Sequence, residues 1–201
     1  MMTVENAERE LETAERMTPG LWAPHSRAAA VNARIIADKS GMDGDKAYVL
    51  GLLHDIGRRN GSWGVDHIFD GYDYMTELGE HQIARISLTH SYPKIPDTGE
   101  YIARLKCSDE RKAFLKNYLD GIEYDEYDML IQLCDAISLP TGACIMEKRL
   151  IDVVMRHGVN EFIVEKWRSF MTIKKTFDAR CGCNIYALLP NVVRNSFDDL
   201  V

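Results

Sequence analysis

The sequence lacks any run of about 18 apolar residues, which is the length a transmembrane helix needs. The segment 1–17 is charged and has no apolar core of the kind found in signal peptides. Lysine and arginine number 24 against 31 aspartates and glutamates, so the formal net charge is −7. Because bulk attraction to a phosphate backbone needs excess positive charge, these absences predict a cytoplasmic protein with no membrane partner and no extended nucleic-acid surface.

Cysteine is also scarce, with five residues in 201. An odd count in a cytoplasmic chain favours reduced thiols over disulfides. Cys181 and Cys183 are separated by one residue, which is not the C-x-x-C spacing, and no second pair is nearby. We therefore interpret this pair as structural or incidental rather than as a zinc or redox site.

Strand-like alternation is absent except for an ambiguous segment near 184–189, which could form a strand or a helical turn. Apolar spacing instead predicts an all-α protein in one domain. A central apolar helix is expected to be capped by Asp43 or Asp45 and ended by Gly57, and the glycine-rich segment 58–73 is expected to be a loop. The other predicted helices are 4–17, 25–39, about 79–90, about 109–119, about 125–139, about 143–156 and about 161–170.

Asp135 is the polar residue that most needs an explanation. It lies in the segment MLIQLCDAISLP, which we expect to be a largely buried helix. An ionised carboxylate there is costly unless it pairs with an arginine or binds a metal. A metal site needs imidazoles from neighbouring helices, and His25 and His54 meet that need. The short connection SGMDGD favours antiparallel packing of their helices, which would bring these two histidines together.

The pattern resembles the HD superfamily of metal-dependent phosphohydrolases, whose signature is H…HD…D on a helical bundle. The matching residues are His25, His54, Asp55 and Asp135, with 29 positions between the two histidines and 80 between the two aspartates. The segments GLWAPHSRAAAVNARIIA, AYVLGLLHDIGR and LIQLCDAISLP carry the resemblance over about 21–150. It implies a single HD domain over 1–201, with a C-terminal helical extension over about 151–201.

Two further histidines, His67 and His90, resemble in order and setting the additional ligands of HD proteins that cleave dinucleoside polyphosphates. The resemblance implies that these residues hold a second metal; the alternative is that they cap helices or line the pocket. The chain has no adjacent His-His pair and no GYP segment, which argues against the cyclic-dinucleotide phosphodiesterase subgroup. We interpret His81 as a surface residue and His157 as a cation at a helix C-terminus.

Imidazole and carboxylate ligands suit Fe, Mn, Co, Ni or Zn and disfavour Mg. One or two such ions would activate water and polarise a phosphoryl oxygen, with Asp55 as the natural bridge. Arg58 is a candidate contact for the substrate phosphate, as are Lys148 and its neighbour Arg149. The alternative for these three residues is a solvated surface charge.

The leading hypothesis is therefore a phosphohydrolase that acts on a small phosphorylated substrate, a nucleotide or another metabolite. Two other functional hypotheses stay open. One is a non-catalytic, metal-containing HD domain that senses a ligand, although degenerate domains often lose a ligand residue and this chain has the complete set. The other is a di-iron HD oxygenase. The C-terminal helices either complete the pocket or form the face of a homodimer.

Overall fold

The computed structural model describes residues 1–198, and this part of the chain contains eleven α-helices and one two-stranded antiparallel sheet. The all-α prediction is confirmed. In β1 and β2, Ser138 pairs with Ala143 and Leu139 with Gly142. The elements are α1 (Val4–Met17), α2 (Trp22–Ser40), α3 (Gly44–Leu53), α4 (Asp66–Glu77), α5 (His81–Thr89), α6 (Thr98–Ala103), α7 (Asp109–Asp120), α8 (Glu126–Ala136), β1 (Ser138–Leu139), β2 (Gly142–Ala143), α9 (Met146–His157), α10 (Ile163–Cys181) and α11 (Val192–Phe197), with 3-10 helices at Ile56–Asn60 and Ile185–Ala187.

Several helix boundaries follow from local capping chemistry. Gly41, which has φ 78°, ends α2 in the left-handed conformation that glycine adopts without steric cost. Asp43 then accepts a hydrogen bond from the backbone N–H of Lys46 and caps α3, as predicted. Asp125 and Asp128 form a reciprocal capping box at the start of α8.

Small residues allow α2 and α3 to pack closely. A Cβ on Gly51 would lie 2.9 Å from Cα of Ala30, so only glycine permits this approach of the two backbones. Ala29, Ala30 and Ala33 are buried on the facing side of α2. This packing places His25 beside His54, with ring centroids 5.3 Å apart, as the short connection predicted.

Helix α10 contributes to the same apolar core as α2, α3 and α8. Phe170, Ile173 and Phe177 are buried members of that cluster. A second, smaller cluster joins α4, α5, α6 and α7 through Ile68 and Leu115 among others. The division into a core over about 21–150 and an extension over about 151–201 stays a prediction.

Several predicted boundaries were wrong. Segment 58–73 is not wholly a loop, because α4 begins at Asp66, and α6 was not foreseen. Helix α8 ends at Ala136, so Asp135 lies in its last turn, and α10 continues to Cys181. The ambiguous tail segment forms a 3-10 turn at Ile185–Ala187 rather than a strand.

Gly57 does not end the central helix. Helix α3 ends at Leu53, and Gly57 lies inside the following 3-10 helix. A Cβ at this position would overlap the carbonyl oxygen of His67 and the amide nitrogen of Gly71 in α4. The glycine is therefore required by the close approach of α4 and not by a helix stop.

Three further expectations concern membrane-spanning helices, a surface histidine and the cysteines. None of the helices within residues 1–198 combines the length and apolarity that a membrane crossing requires. His81 is exposed, as expected of a surface residue. The cysteines all carry free thiols: Cys107, Cys134, Cys144, Cys181 and Cys183.

Candidate metal centre

Six side chains from five helical segments converge on one buried point, and these are the six residues that the sequence singled out as ligands. His25 comes from the first turn of α2, His67 from the first turn of α4, and Asp135 from the last turn of α8. His54 and Asp55 directly follow α3, and His90 directly follows α5. Their donor atoms form three overlapping groups, each within 4.8 Å: His25–His54–Asp55, His54–His90–Asp135 and Asp55–His67–His90.

The first two histidines are oriented by backbone carbonyls. Nδ1 of His25 donates to the carbonyl of Ser138 over 3.2 Å, and Nδ1 of His54 donates to the carbonyl of Gly51 over 2.7 Å. A carbonyl can only accept, so Nδ1 must carry the hydrogen in both rings. Each Nε2 therefore presents a lone pair to the centre when the ring is neutral, which is the form that binds a metal.

The other two histidines follow the same rule. Nδ1 of His67 donates to the carbonyl of Gly64 over 2.6 Å. Nδ1 of His90 lies 3.1 Å and 3.0 Å from the carbonyls of Ile86 and Ser87. Their Nε2 atoms lie 3.4 Å apart. The two Nε2 atoms therefore face each other at short range, an arrangement that a shared cation would stabilise.

Asp55 lies between the two sets of histidines. Its Oδ1 is 3.0 Å from Nε2 of His67 and 3.6 Å from Nε2 of His90. Its Oδ2 is 3.9 Å from Nε2 of His54 and accepts a 2.6 Å hydrogen bond from Nε of Arg58. Burial raises the pKa of Asp55, but the charge of Arg58 and the interactions with His67 and His54 outweigh burial and hold the pKa well below its usual value.

Asp135 contacts an arginine, which is one of the two explanations that the sequence left open, and also an imidazole of the predicted metal-ligand set. Its Oδ1 is 2.9 Å from Nε2 of His25 and 3.5 Å from Nη2 of Arg149. Its side chain is 23% exposed, so it is less buried than the apolar surroundings in the sequence suggested. Burial raises the pKa of Asp135, but the interaction with His25 and the charge of Arg149 outweigh burial and hold the pKa well below its usual value.

The donor set fits a divalent transition metal. Burial lowers the pKa of His25 and lowers that of His90 to about 3, so both rings are neutral ligands at physiological pH. Nε2 of His54 is buried and has no hydrogen-bond partner within residues 1–198, and such an orphaned atom is costly unless a ligand satisfies it. Neutral imidazoles beside ionised carboxylates are the ligands that Fe, Mn, Co, Ni and Zn prefer.

Polar contacts outside the cluster hold the ligand-bearing helices in register. Asn32, two turns after His25 on α2, donates to Oγ of Ser138 over 2.9 Å. Oγ of Ser138 in turn donates to the carbonyl of Cys134 over 2.6 Å. The residue whose carbonyl orients His25 is thereby anchored to both α2 and α8.

Helices α5 and α8 are joined by a buried ion pair. Nε of Arg85 lies 3.1 Å and 3.0 Å from the two carboxylate oxygens of Asp128. Thr89 donates to the same carboxylate over 2.8 Å, and the side chain of Gln132 donates to the carbonyl of Thr89 over 2.9 Å. These bonds hold the end of α5, which is followed by His90, against α8.

The three candidate phosphate contacts occupy different positions. Arg58 contacts Asp55 directly, and within residues 1–198 only its Nε is hydrogen-bonded. Nη2 of Arg149 lies 3.5 Å from Oδ1 of Asp135. Lys148 is half-buried in the first turn of α9, and its contact with a phosphate stays a prediction.

Sequence reasoning missed the carbonyls that set the histidine tautomers and the positioning role of Arg149 beside Asp135. No sequence signal reveals the carbonyls, because every residue has one and only the fold selects which of them faces an imidazole. Asn32 could have been found, since it lies seven positions after His25 and therefore on the same face of α2.

Comparison with known proteins gives one result. A family model of the HD domain matches residues 22–139, which is more than half of the chain. Searches of curated proteins and of solved structures found no match. The matched range contains all six converging side chains, and its helical architecture agrees with the resemblance seen in the sequence. The chain belongs to the HD domain family.

Proposed function

We propose that this protein is a metal-dependent phosphohydrolase that cleaves a phosphoester or phosphoanhydride bond in a nucleotide or another small phosphorylated metabolite. The observation that carries the proposal is the convergence of four Nε2 atoms and two ionised carboxylates, with two arginines against those carboxylates. Membership of a family of metal-dependent hydrolases supports the class of reaction.

The arrangement favours two ions over one. Asp55, His67 and His90 form one group of donors, and His25, His54 and Asp55 form another, so Asp55 belongs to both groups. The two oxygens of Asp55 face different histidines, so this carboxylate can serve both sets. When bound, such ions lower the pKa of water and polarise a phosphoryl oxygen.

The protein's own groups supply binding and orientation. The histidine tautomers are set by carbonyls before any ligand arrives, so little reorganisation is needed. Arg58 and Arg149 hold the two carboxylates and place positive charge at the centre, where an anionic substrate would gain charge-assisted hydrogen bonds. Those arginines favour phosphate chemistry over oxidation of an uncharged substrate.

The test joins metal analysis to a hydrolysis screen. The purified protein is analysed for bound metals and for phosphate release from nucleotides, dinucleoside polyphosphates and an aryl phosphate. Asp55→Ala and Asp135→Ala are expected to lose both metal and turnover. Asp109→Ala changes a carboxylate that is 96% exposed on α7 and is expected to behave as wild type.

Each alternative outcome points to a different function. Full metal content in both aspartate variants would reject the site. Bound iron with oxygen uptake and no phosphate release would indicate an oxygenase. Bound metal without any turnover would indicate a ligand sensor. The cytoplasmic location and the homodimer stay predictions.

A further inference from the structure

One face of α9 carries a charged row of three residues, and the proposed chemistry uses only one of them, Arg149. Arg149, Asp152 and Arg156 follow the i, i+3, i+7 spacing that places side chains on one side of a helix. Oδ2 of Asp152 accepts a 2.9 Å hydrogen bond from Nη1 of Arg149 and another of 2.9 Å from Nη2 of Arg156. A single carboxylate oxygen therefore holds two guanidinium groups.

Arg149 connects this row to the metal centre. Its Nη2 lies 3.5 Å from Oδ1 of Asp135, while its Nη1 bonds to Asp152. The side chain is only 13% exposed, and its Nε is buried without a hydrogen-bond partner in the described part of the chain. An anion that bound this guanidinium in place of Asp152 would lie directly beside the ligand Asp135.

Arg58 also lies near the C-terminal end of α9. Burial lowers the pKa of His157 at the end of α9, and the charges of Arg156, Arg58 and Arg149 lower it further. The prediction that His157 is a cation is therefore wrong, because burial and these neighbouring charges disfavour its protonated form. The neighbours include Arg58, which bonds to Asp55, and Arg149, which bonds to Asp135. The C-terminal half of α9 and Arg58 thus form a basic region next to the metal centre in a chain whose net charge is −7.

Ordinary surface ion pairs along a helix contribute little and need no function. This row differs in two respects: the Arg149 side chain is only 13% exposed, and Asp152 is 42% exposed and can be displaced. A phosphate group offers more oxygens and more charge than a carboxylate, so it can hold two guanidinium groups at once and replace Asp152.

We propose that Arg149 and Arg156 form a subsite for a second phosphate group of the substrate, beyond the group at the metal centre, and that Asp152 occupies this subsite in the free protein. This inference rests on the proposed function and narrows the substrate class to compounds with two or more linked phosphates. Asp152 then competes with the substrate. It holds the two arginines in place in the free protein and is displaced from them when the substrate binds.

The test uses calorimetric titration of the metal-loaded, full-length protein with two probes, methylenediphosphonate and inorganic phosphate. The diphosphonate carries two linked groups and resists hydrolysis at its bridging carbon. Arg156→Gln is expected to weaken diphosphonate binding about fivefold and to leave phosphate binding unchanged. Asp152→Asn is expected to tighten diphosphonate binding about threefold, because the competing charge is removed.

Matched controls separate this effect from loss of structure. Arg104→Gln removes an exposed arginine that, like Arg156, pairs with a carboxylate four positions earlier, here Glu100, and that also pairs with Glu161. This variant is expected to bind both probes as wild type does. Arg156→Lys keeps the charge and is expected to stay within about twofold of wild type. Chelation of free metal by the diphosphonate is the same in every titration.

The subsite is rejected if Asp152→Asn weakens the diphosphonate, if Arg156→Gln affects both probes equally or neither, or if wild type does not bind the diphosphonate. Failure of the proposed function has a different signature. In that case wild type would bind no inorganic phosphate and would release none from any substrate tested.

Discussion

Nε2 of His67 and Nε2 of His90 lie 3.4 Å apart, although 23 positions separate the two residues in the sequence. Each ring has its Nδ1 occupied by a backbone carbonyl, so neither Nε2 is needed for structure. Both atoms also face Oδ1 of Asp55. This arrangement supports the proposal that the pair binds a metal and does more than cap two helices.

Replacing both His67 and His90 by alanine is expected to lower the metal content from two ions per chain to one. The donor group of His25, His54 and Asp55 would remain for the other ion, with Asp135 2.9 Å from His25. Elemental analysis of the purified double variant measures this directly. His81→Ala, which removes an exposed histidine at the start of α5, should keep the wild-type content. Unchanged metal content in the double variant would contradict the assignment.

The adjacent arginines 58 and 59 are expected to differ in role. Arg58→Gln should reduce kcat about tenfold or more with metal content retained, because a charge-assisted donor beside Asp55 is lost. Arg59 instead bonds to Glu10 over 2.7 Å and lies 3.7 Å from the Tyr74 ring centroid.

Arg59→Gln is the matched control for that change. It should lower the free energy of unfolding by about 1–2 kcal/mol and leave kcat near wild type. Steady-state phosphate release and thermal unfolding of both variants decide the point. Equal losses of kcat in the two variants would remove the distinction.

Gly57→Ala should destabilise the protein by about 2–3 kcal/mol, because the new Cβ overlaps backbone atoms of α4 that cannot move independently. Thermal unfolding followed by circular dichroism measures the change. In Gly99→Ala the new Cβ would meet only the flexible end of Lys116, at 3.2 Å. That control should unfold at or above the wild-type temperature, and a wild-type Tm for Gly57→Ala would refute the close approach.

Acidification should destabilise the metal-free protein through His90. Burial lowers its folded-state pKa to about 3, while an unfolded histidine titrates near pH 6.5. As the pH falls below about 6.5, this histidine is protonated in the unfolded chain but not in the folded protein. The free energy of unfolding therefore decreases as the pH falls from about 6.5 towards 3. The expected slope is about 1.4 kcal/mol per pH unit for each such histidine.

Urea unfolding between pH 7 and pH 5 tests this expectation. His90→Gln should reduce the number of protons taken up on unfolding by about one, which lowers the slope of the unfolding free energy against pH. His81→Gln changes an exposed histidine and should leave the pH dependence as it is. A slope that is identical in wild type and His90→Gln would show that His90 is not held neutral in the fold.

The sequence by itself was sufficient to predict the helical class and the residues that meet at the centre. Helical periodicity and capping are local, so Gly41 and Asp43 could be read as the end of α2 and the start of α3. The H…HD…D spacing likewise identified side chains that the structure brings together. Local signals gave a wrong prediction around Asp66, where glycine and aspartate are typical of a loop but the chain forms α4. This helix is stabilised by packing on α5, which the local sequence does not reveal.

Only the tertiary structure decided how the site is organised. It selected the carbonyl of Ser138, 113 positions from His25, to set that ring's tautomer. It directed Arg58 towards Asp55 and Arg59 towards α1, although the two are adjacent in sequence. It also placed Gly57 against the backbone of α4, so that glycine is required there by close packing and not as the end of a helix. These properties depend on which atoms of distant segments come within a few ångströms, and that follows from packing rather than from local spacing.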